Sequence, residues 1–149
     1  ALAGRMPINQ TEAYHGVPWR NWRSNTSHDW LEVGGKRYYM RSRWERNIGR
    51  YYQWLKDKGQ IRDWEYEPKR FMFEEITRGN RSYLPDFRIT ENDGKQYWVE
   101  VKGYIDQGAR TKLKRMLKYY PDEKIMLLCQ DEYREIAKQC KTLIPEWER

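Results

Sequence analysis

Apolar and aromatic residues recur with helical spacing in three segments of the chain. Over residues 42–58, one helical face is formed by Trp44, Ile48, Tyr51, Tyr52 and Leu55. Ser42 suits the N-cap of this helix, and Gly59 is a plausible C-terminal stop. A second helix is predicted over residues 107–119, with an inward face made of Leu113, Met116, Leu117 and Tyr120. A third is predicted over residues 131–141, with Asp131 as its cap.

Two hairpins are predicted from runs of strand-forming residues that flank turn signals. Residues 30–33 and 36–40 are separated by Gly34-Gly35, which favours a two-residue turn. Residues 82–90 and 96–102 lie on either side of Asn92-Asp93-Gly94, a second hairpin signal. Both segments therefore predict antiparallel strand pairs.

Two further segments are rich in strand formers. Residues 64–74 alternate poorly, and Pro68 suits an edge strand or a bulge. Residues 124–129 form a short continuous apolar run, typical of a strand inside a sheet. The predicted order of elements is hairpin, α, β, β, β, α, β, α, which indicates an α/β fold with a mixed central sheet.

The 149 residues suit one domain, which we place at residues 30–149. Residues 1–29 are rich in Gly, Pro and Asn without sustained periodicity, and we expect an N-terminal arm. No apolar run approaches the length of a membrane span, and no apolar signal core precedes the domain, so we expect a cytoplasmic protein. Cys129 and Cys140 lack metal-ligand spacing, and Cys129 is predicted to be a buried thiol.

The charge balance favours an acidic polymer as partner. The chain has 29 Lys+Arg against 22 Asp+Glu, a net charge of +7, and it also carries 8 Trp and 12 Tyr that could stack on bases. We expect nucleic-acid contacts from three groups of cations: Arg41, Arg43, Arg46 and Arg50 around the first helix; Arg110, Lys112, Lys114, Arg115 and Lys118 on the second helix; and Arg20 and Arg23 in the arm.

The candidate chemistry lies in the second predicted hairpin. Glu100 and Lys102 are two residues apart in a strand and share a face, and Asp86 stands before the neighbouring strand. Hard carboxylate oxygens suit Mg²⁺ or Mn²⁺, and such an ion can activate water against a phosphodiester. Each carboxylate also has an alternative role without a metal. Asp86 could accept hydrogen bonds from backbone amides of a turn, and Glu100 could form a cross-strand ion pair on a solvent-exposed face. The combination of the three residues favours a metal-dependent nuclease.

Pro85-Asp86, a spacer and Glu100-Val101-Lys102 resemble the motif of the PD-(D/E)xK nuclease superfamily. The predicted elements, without the first hairpin and the last helix, resemble its αβββαβ core. The segment Arg41–Glu45 is similar to the helix that brings an extra carboxylate to such sites. Within the superfamily, the features look most similar to phage junction-resolving endonucleases of the endonuclease I type.

The resemblance implies a restriction-endonuclease-like fold and a role for each motif residue. Asp86, Glu100, the Val101 carbonyl and Glu45 are the implied metal ligands, with Mg²⁺ as cofactor and Mn²⁺ as substitute. Lys102 is the implied catalytic lysine, acting either as a base or as an electrostatic clamp. The implied partner is branched DNA such as a four-way (Holliday) junction, cut by a homodimer in the cytoplasm of a phage host.

Three alternatives stay open at the level of the sequence. Glu45 stands three residues after Ser42 and could serve as the partner in a capping box rather than as a metal-site residue. The chain could be a nicking or mismatch-type nuclease of the same fold, because catalytic residues do not encode substrate shape. It could also be a DNA-binding module without catalysis.

Overall fold

The computed structural model describes residues 28–148. Within this range the chain forms, in order, β1 (Asp29–Val33), β2 (Lys36–Met40), α1 (Arg43–Asp57), β3 (Asp63–Tyr66), β4 (Phe71–Met72), β5 (Ser82–Tyr83), β6 (Phe87–Thr90), β7 (Gln96–Val101), α2 (Gln107–Tyr119), β8 (Ile125–Leu128) and α3 (Gln130–Cys140). Nearly all of the predicted arm, with Arg20 and Arg23, lies outside the described residues. No helix in residues 28–148 is long and apolar enough to cross a membrane.

A four-stranded mixed sheet forms the centre of the fold. Its strand order is β3-β6-β7-β8, with antiparallel pairing except between β7 and β8, which are parallel. Parallel neighbours need a crossover connection, and α2 supplies it. The protein is therefore of the α/β class with a mixed sheet, as the sequence predicts. The elements from α1 to β8 also follow the predicted order, apart from the additional β4–β5 ribbon.

Both faces of this sheet are covered, because side chains alternate along each strand. Phe87, Ile89, Val99 and Val101 point to the face that packs against α1, α3 and the β1–β2 hairpin. Trp98 and Leu127 point to the other face, where they meet α2 and the β4–β5 ribbon. All four residues of β8 are buried, as its continuous apolar sequence predicts. Val99 and Val101 are therefore buried on the opposite face from Glu100.

The β1–β2 hairpin is fixed to α1 by close packing. Gly34 and Gly35 both have positive φ, 59° and 74°, which is the geometry of a two-residue type I′ turn. Leu31 and Met40 point from the hairpin onto the helix at Gly49, and a Cβ there would lie 2.8 Å from Cδ2 of Leu31. The absence of a side chain at Gly49 allows this approach.

Two predicted strands are each divided in the structure. The strand expected over 64–74 ends at Tyr66, because Glu67 has a φ of 46° and Pro68 has no N–H to donate. The strand expected over 82–90 separates into β5, which pairs with β4 in a ribbon of its own, and β6, which joins the central sheet. The break between β5 and β6 falls immediately before the candidate site.

Two smaller predictions about the helices are wrong. The third helix begins at Gln130, and its N-cap is Cys129 rather than Asp131; Glu132 accepts the Cys129 N–H at 3.1 Å. Leu117, assigned to the inward face of α2, is 51 % exposed, whereas Leu113 and Met116 are buried. The predicted burial of Cys129 is confirmed.

We predict that Gly49→Ala destabilises the protein although alanine favours helices. The new Cβ must displace Leu31 and Met40, which are 2 % and 0 % exposed, so overpacking should cost about 1–3 kcal/mol. Gly108→Ala in α2 is the control, because its Cβ would meet nothing closer than 3.5 Å. Urea unfolding measures both variants; a Gly49→Ala protein as stable as Gly108→Ala would contradict this account of the packing.

Candidate active site

The register of the central sheet brings Asp86 next to Glu100. Phe87 pairs with Val99 and Arg88 with Trp98, so Asp86, one residue before the start of β6, stands opposite Glu100. Side-chain alternation then puts both carboxylates on the face that also carries Arg88, whose guanidinium lies 5.5 Å from the Trp98 ring. Two acidic side chains from neighbouring strands therefore share one face of the sheet.

Pro85 and Asp86 change the hydrogen bonding where the ladder between β6 and β7 ends. In a continued ladder Pro85 would oppose Val101, but proline has no N–H to give to the Val101 carbonyl. The Val101 N–H instead donates to Oδ2 of Asp86 at 2.8 Å. The motif thus fixes the Asp86 carboxylate against β7 and removes the donor that a strand would offer to the Val101 carbonyl oxygen.

All of the predicted catalytic and metal-binding residues line one cleft of about 520 Å³. These residues are Glu45, Asp86, Glu100, Val101 and Lys102. Glu100 and Lys102 lie on the same side of the chain at the end of β7, separated by the buried Val101. The structure brings the predicted site together from α1, the start of β6 and the end of β7.

The two strand carboxylates hold their protons more tightly than usual. Asp86 is 4 % exposed, and burial together with the nearby Glu100 and Glu45 raises its pKa well above the usual range, against the opposing effects of the Val101 N–H and Arg41. Burial also raises the pKa of Glu100 to about 7, although Lys102 and the Tyr83 hydroxyl oppose the shift. Raised pKa values mean that the site disfavours two negative carboxylates, so the binding of a cation between them would be favourable.

Glu45 combines the two roles that the sequence leaves open. Its N–H donates to Ser42 Oγ at 3.0 Å, and its carboxylate accepts the Ser42 hydroxyl at 3.1 Å and the Arg41 N–H at 3.3 Å. The Tyr66 hydroxyl donates to the same carboxylate at 2.7 Å. The capping role is therefore present, while the carboxylate still lines the cleft.

Three residues near the carboxylates were not identified from the sequence. The Tyr83 hydroxyl donates to Glu100 Oε2 at 2.9 Å, and Tyr66 holds Glu45. Glu67, in its positive-φ conformation, donates its N–H to the Asp86 carbonyl at 2.8 Å and binds the Arg41 guanidinium with its side chain. Their positions depend on the path of the chain after β3 and β5; Pro68 and Pro85 mark the two breaks but do not specify that path.

The cationic residues predicted to contact nucleic acid divide into different environments. Arg41 and Lys112 line the cleft, and Arg41 lies 3.7 Å from Asp86 Oδ1. Arg43 forms an ion pair with Glu148 at 3.6 Å, and Arg115 donates to the Asn80 carbonyl at 2.6 Å. Lys114 and Lys118 are exposed on α2, and Arg110 is partly exposed there.

The assignment of Arg46 and Arg50 to a DNA-facing surface is wrong. They are 4 % and 8 % exposed, on the side of α1 that packs inward, and Arg50 donates to Asn47 Oδ1 at 2.8 Å. Every residue of α1 from Glu45 to Tyr52 is buried, so the side of the helix that carries Arg46 and Arg50 is covered as well as the side that carries Ile48. Arg50 thus contributes to the internal polar contacts of the helix.

The donor set fits a hard divalent cation, although the side chains do not form a ready-made cage. Within residues 28–148 no three His, Cys, Asp or Glu side chains are grouped closely enough to hold a metal ion. Mg²⁺ commonly uses one or two carboxylates together with waters and substrate phosphates. Asp86, Glu100 and the Val101 carbonyl supply a set of that kind.

Comparisons of the chain with protein-family models, with curated proteins and with solved structures found no match. The interpretation of the cleft rests on its own residues and on the motif that they form.

We predict that metal-free protein loses stability as the pH rises, because of Glu100. A folded-state pKa of about 7, above the ordinary 4.5, gives a contribution that is complete below pH 4.5 and is lost as the pH rises through 7. Glu100→Gln should therefore be more stable than the unmodified protein at pH 8 in EDTA, by roughly 1–3 kcal/mol, but not at pH 4.

Thermal unfolding at both pH values measures this difference. Glu135→Gln, at an exposed position of α3, is the matched control and should follow the unmodified protein. A Glu100→Gln protein with the same pH dependence as the control would contradict the electrostatic description of the cleft.

Proposed function

We propose that the protein is a metal-dependent DNA endonuclease of the PD-(D/E)xK type. The observation that carries the proposal is the position of Asp86 opposite Glu100, with Lys102 beside them, in a cleft that also contains Arg41 and Lys112. The acidic pair suits a divalent cation, and the cations around it suit the phosphates of a polymer. The elements from α1 to β8, without the β4–β5 ribbon, resemble the αβββαβ core of that superfamily in their order, which supports the proposal.

Asp86, Glu100 and the Val101 carbonyl would hold Mg²⁺, or Mn²⁺ in its place. When bound, the ion would lower the pKa of a water and offset negative charge on the phosphodiester. Asp86 is held by the Val101 N–H and Glu100 by the Tyr83 hydroxyl, so both carboxylates are oriented before any ligand enters. Glu45, held by three donors, would act on the site through its charge from the start of α1.

Lys102 would act on the substrate or on the attacking water. Its ammonium lowers the pKa of Glu100 and therefore favours the charged carboxylate that a metal needs. As an ammonium it would stabilise the charge that develops on the phosphate, whereas only the neutral amine would accept a proton from water. Arg41, Arg70 and Lys112 line the same cleft and would hold the flanking phosphates.

Branched DNA is the substrate that we propose, with a four-way junction as its most specific form. The support is the resemblance of the motif to junction-resolving endonucleases and the net charge of +7. A junction offers two strands to cut, and a symmetric homodimer would present two clefts to them.

A second candidate function is DNA binding without cleavage. It is favoured by the lack of a three-residue metal-ligand group among residues 28–148 and by the guanidinium of Arg41, which lies 3.7 Å from Asp86 Oδ1 where it already offsets negative charge. Tight junction binding without cleavage in Mg²⁺ or Mn²⁺ would select this function.

We predict Mg²⁺-dependent cutting of a synthetic four-way junction in preference to duplex, flap and single-stranded DNA of the same sequence. Denaturing gels of the four substrates, with Mg²⁺, with Mn²⁺ and with EDTA, measure it. Equal cutting of all four would refute junction selectivity and leave the nuclease proposal standing. No cutting with either ion would refute the nuclease.

Asp86→Asn and Glu100→Gln should reduce cutting at least about 100-fold while junction binding persists, because each removes a ligand charge but little volume. The matched controls are Asp122→Asn in the loop after α2 and Glu135→Gln in α3, both at exposed positions. Loss of cutting in the controls, or loss of binding in the site variants, would show that the assignment of the site is wrong.

A further inference from the structure

The outer face of the β1–β2 hairpin exposes two large aromatic rings. Trp30 and Tyr39 are paired in register, and they are 48 % and 51 % exposed. Their ring centroids lie 5.2 Å apart in an edge-to-face arrangement. Leu31 and Met40 point inward onto α1. Because side chains alternate along a strand, Trp30 and Tyr39 point outward into solvent.

These rings are continuous with the candidate active site. The ring of His28 packs edge-on against Tyr39 at 6.0 Å, and His28 also lines the cleft that contains Asp86 and Glu100. Arg41 follows Tyr39 by two residues and lines the same cleft. The hairpin thus connects exposed aromatic surface directly to the carboxylates.

A cation lies at the far end of this surface. The guanidinium of Arg37 lies 4.3 Å from the Trp30 ring, and it also pairs with Glu32 at 3.5 Å. Both of these charged side chains are more than half exposed, a setting in which an ion pair contributes little and can exchange partners. We call His28, Trp30, Arg37 and Tyr39 the hairpin face.

We propose that the hairpin face is a stacking surface for unpaired bases of the DNA whose scissile phosphate occupies the cleft. The inference rests on the proposed nuclease function and adds that bases beside the cut are unpaired when the DNA is bound, as they are when base pairs open at the branch point of a junction. Aromatic rings accept any base by its flat face, and Arg37 and Arg41 stand at the two ends to contact phosphates.

The chemistry of the hairpin face favours DNA over a second copy of the chain. A homodimer core is depleted in charge, whereas this face combines two rings with the Arg37 guanidinium. The adjoining cleft holds the cations Arg41, Arg70, Lys102 and Lys112 beside the carboxylates Glu45, Asp86, Glu100 and Asp106. These cations can pair with DNA phosphates, whereas a second copy of this chain carries the same net charge of +7 and is repelled.

Fluorescence anisotropy of labelled oligonucleotides in EDTA tests the proposal without cleavage. The probes are single-stranded dT12, a duplex with a single-stranded dT6 tail, and the blunt duplex. Trp30→Ala and Tyr39→Ala should each weaken binding of dT12 and of the tailed duplex by about tenfold or more, and binding of the blunt duplex by less than twofold. Trp30→Phe should retain most of the affinity, and Leu143→Ala, at a position that is 58 % exposed, is the control.

Unchanged affinity in Trp30→Ala and Tyr39→Ala would overturn the proposal. So would an equal loss on all three probes, or a loss of self-association in sedimentation with DNA binding intact. If either alanine variant fails to fold, photo-crosslinking of 5-iodouracil-substituted dT12 to the unmodified protein decides: crosslinks at Trp30 or Tyr39 support the proposal, and crosslinks confined to other residues refute it. Stacking without cutting in Mg²⁺ would refute the nuclease alone, and cutting without stacking would refute this inference alone.

Discussion

The site depends on one hydrogen bond, from the Val101 N–H to Oδ2 of Asp86. It forms where the ladder between β6 and β7 ends at Pro85, so that the Asp86 side chain, rather than a carbonyl of a continued β6, accepts the Val101 N–H. This bond fixes a carboxylate that is 4 % exposed directly opposite Glu100. A buried backbone donor without a partner is costly, so the same constraint that completes the sheet also orients the acidic pair.

Two negative charges on the buried Asp86–Glu100 pair would be unfavourable because they repel each other, and neighbouring groups reduce this electrostatic cost. Arg41, Lys102 and the Tyr83 hydroxyl all favour the charged carboxylates, while burial opposes them. Charges of one sign in a partly closed cleft are retained in proteins mainly where they have chemical use. A divalent cation would relieve the repulsion, and Arg41, Arg70 and Lys112 in the cleft would hold the phosphates of the DNA substrate. The β1–β2 hairpin adds exposed aromatic surface next to this cleft.

The sequence predicts the α/β class and the two hairpin turns, and it places both ends of each of the three helices within one residue of the observed position. It also predicts the grouping of Glu45, Asp86, Glu100, Val101 and Lys102. Most of these predictions succeed because strand alternation, turn residues and helical spacing are local properties, whereas the place of Glu45 in the group is implied by the resemblance of Arg41–Glu45 to a helix of the nuclease superfamily. Prediction from the sequence fails where the position of a residue depends on tertiary structure. Helical spacing alone does not show that Arg46 and Arg50 point inward, and composition does not show that the chain breaks at Glu67 or that Tyr83 leaves the sheet to hold Glu100.

Crystals of the protein grown with Mn²⁺ and measured at the manganese absorption edge test the central claim most directly, because anomalous scattering locates the ion without reference to activity. The account predicts a manganese peak within bonding distance of carboxylate oxygens from both Asp86 and Glu100, beside the Val101 carbonyl. Manganese bound elsewhere with the Asp86–Glu100 pair free of metal, or no manganese at all at millimolar concentration, would contradict it.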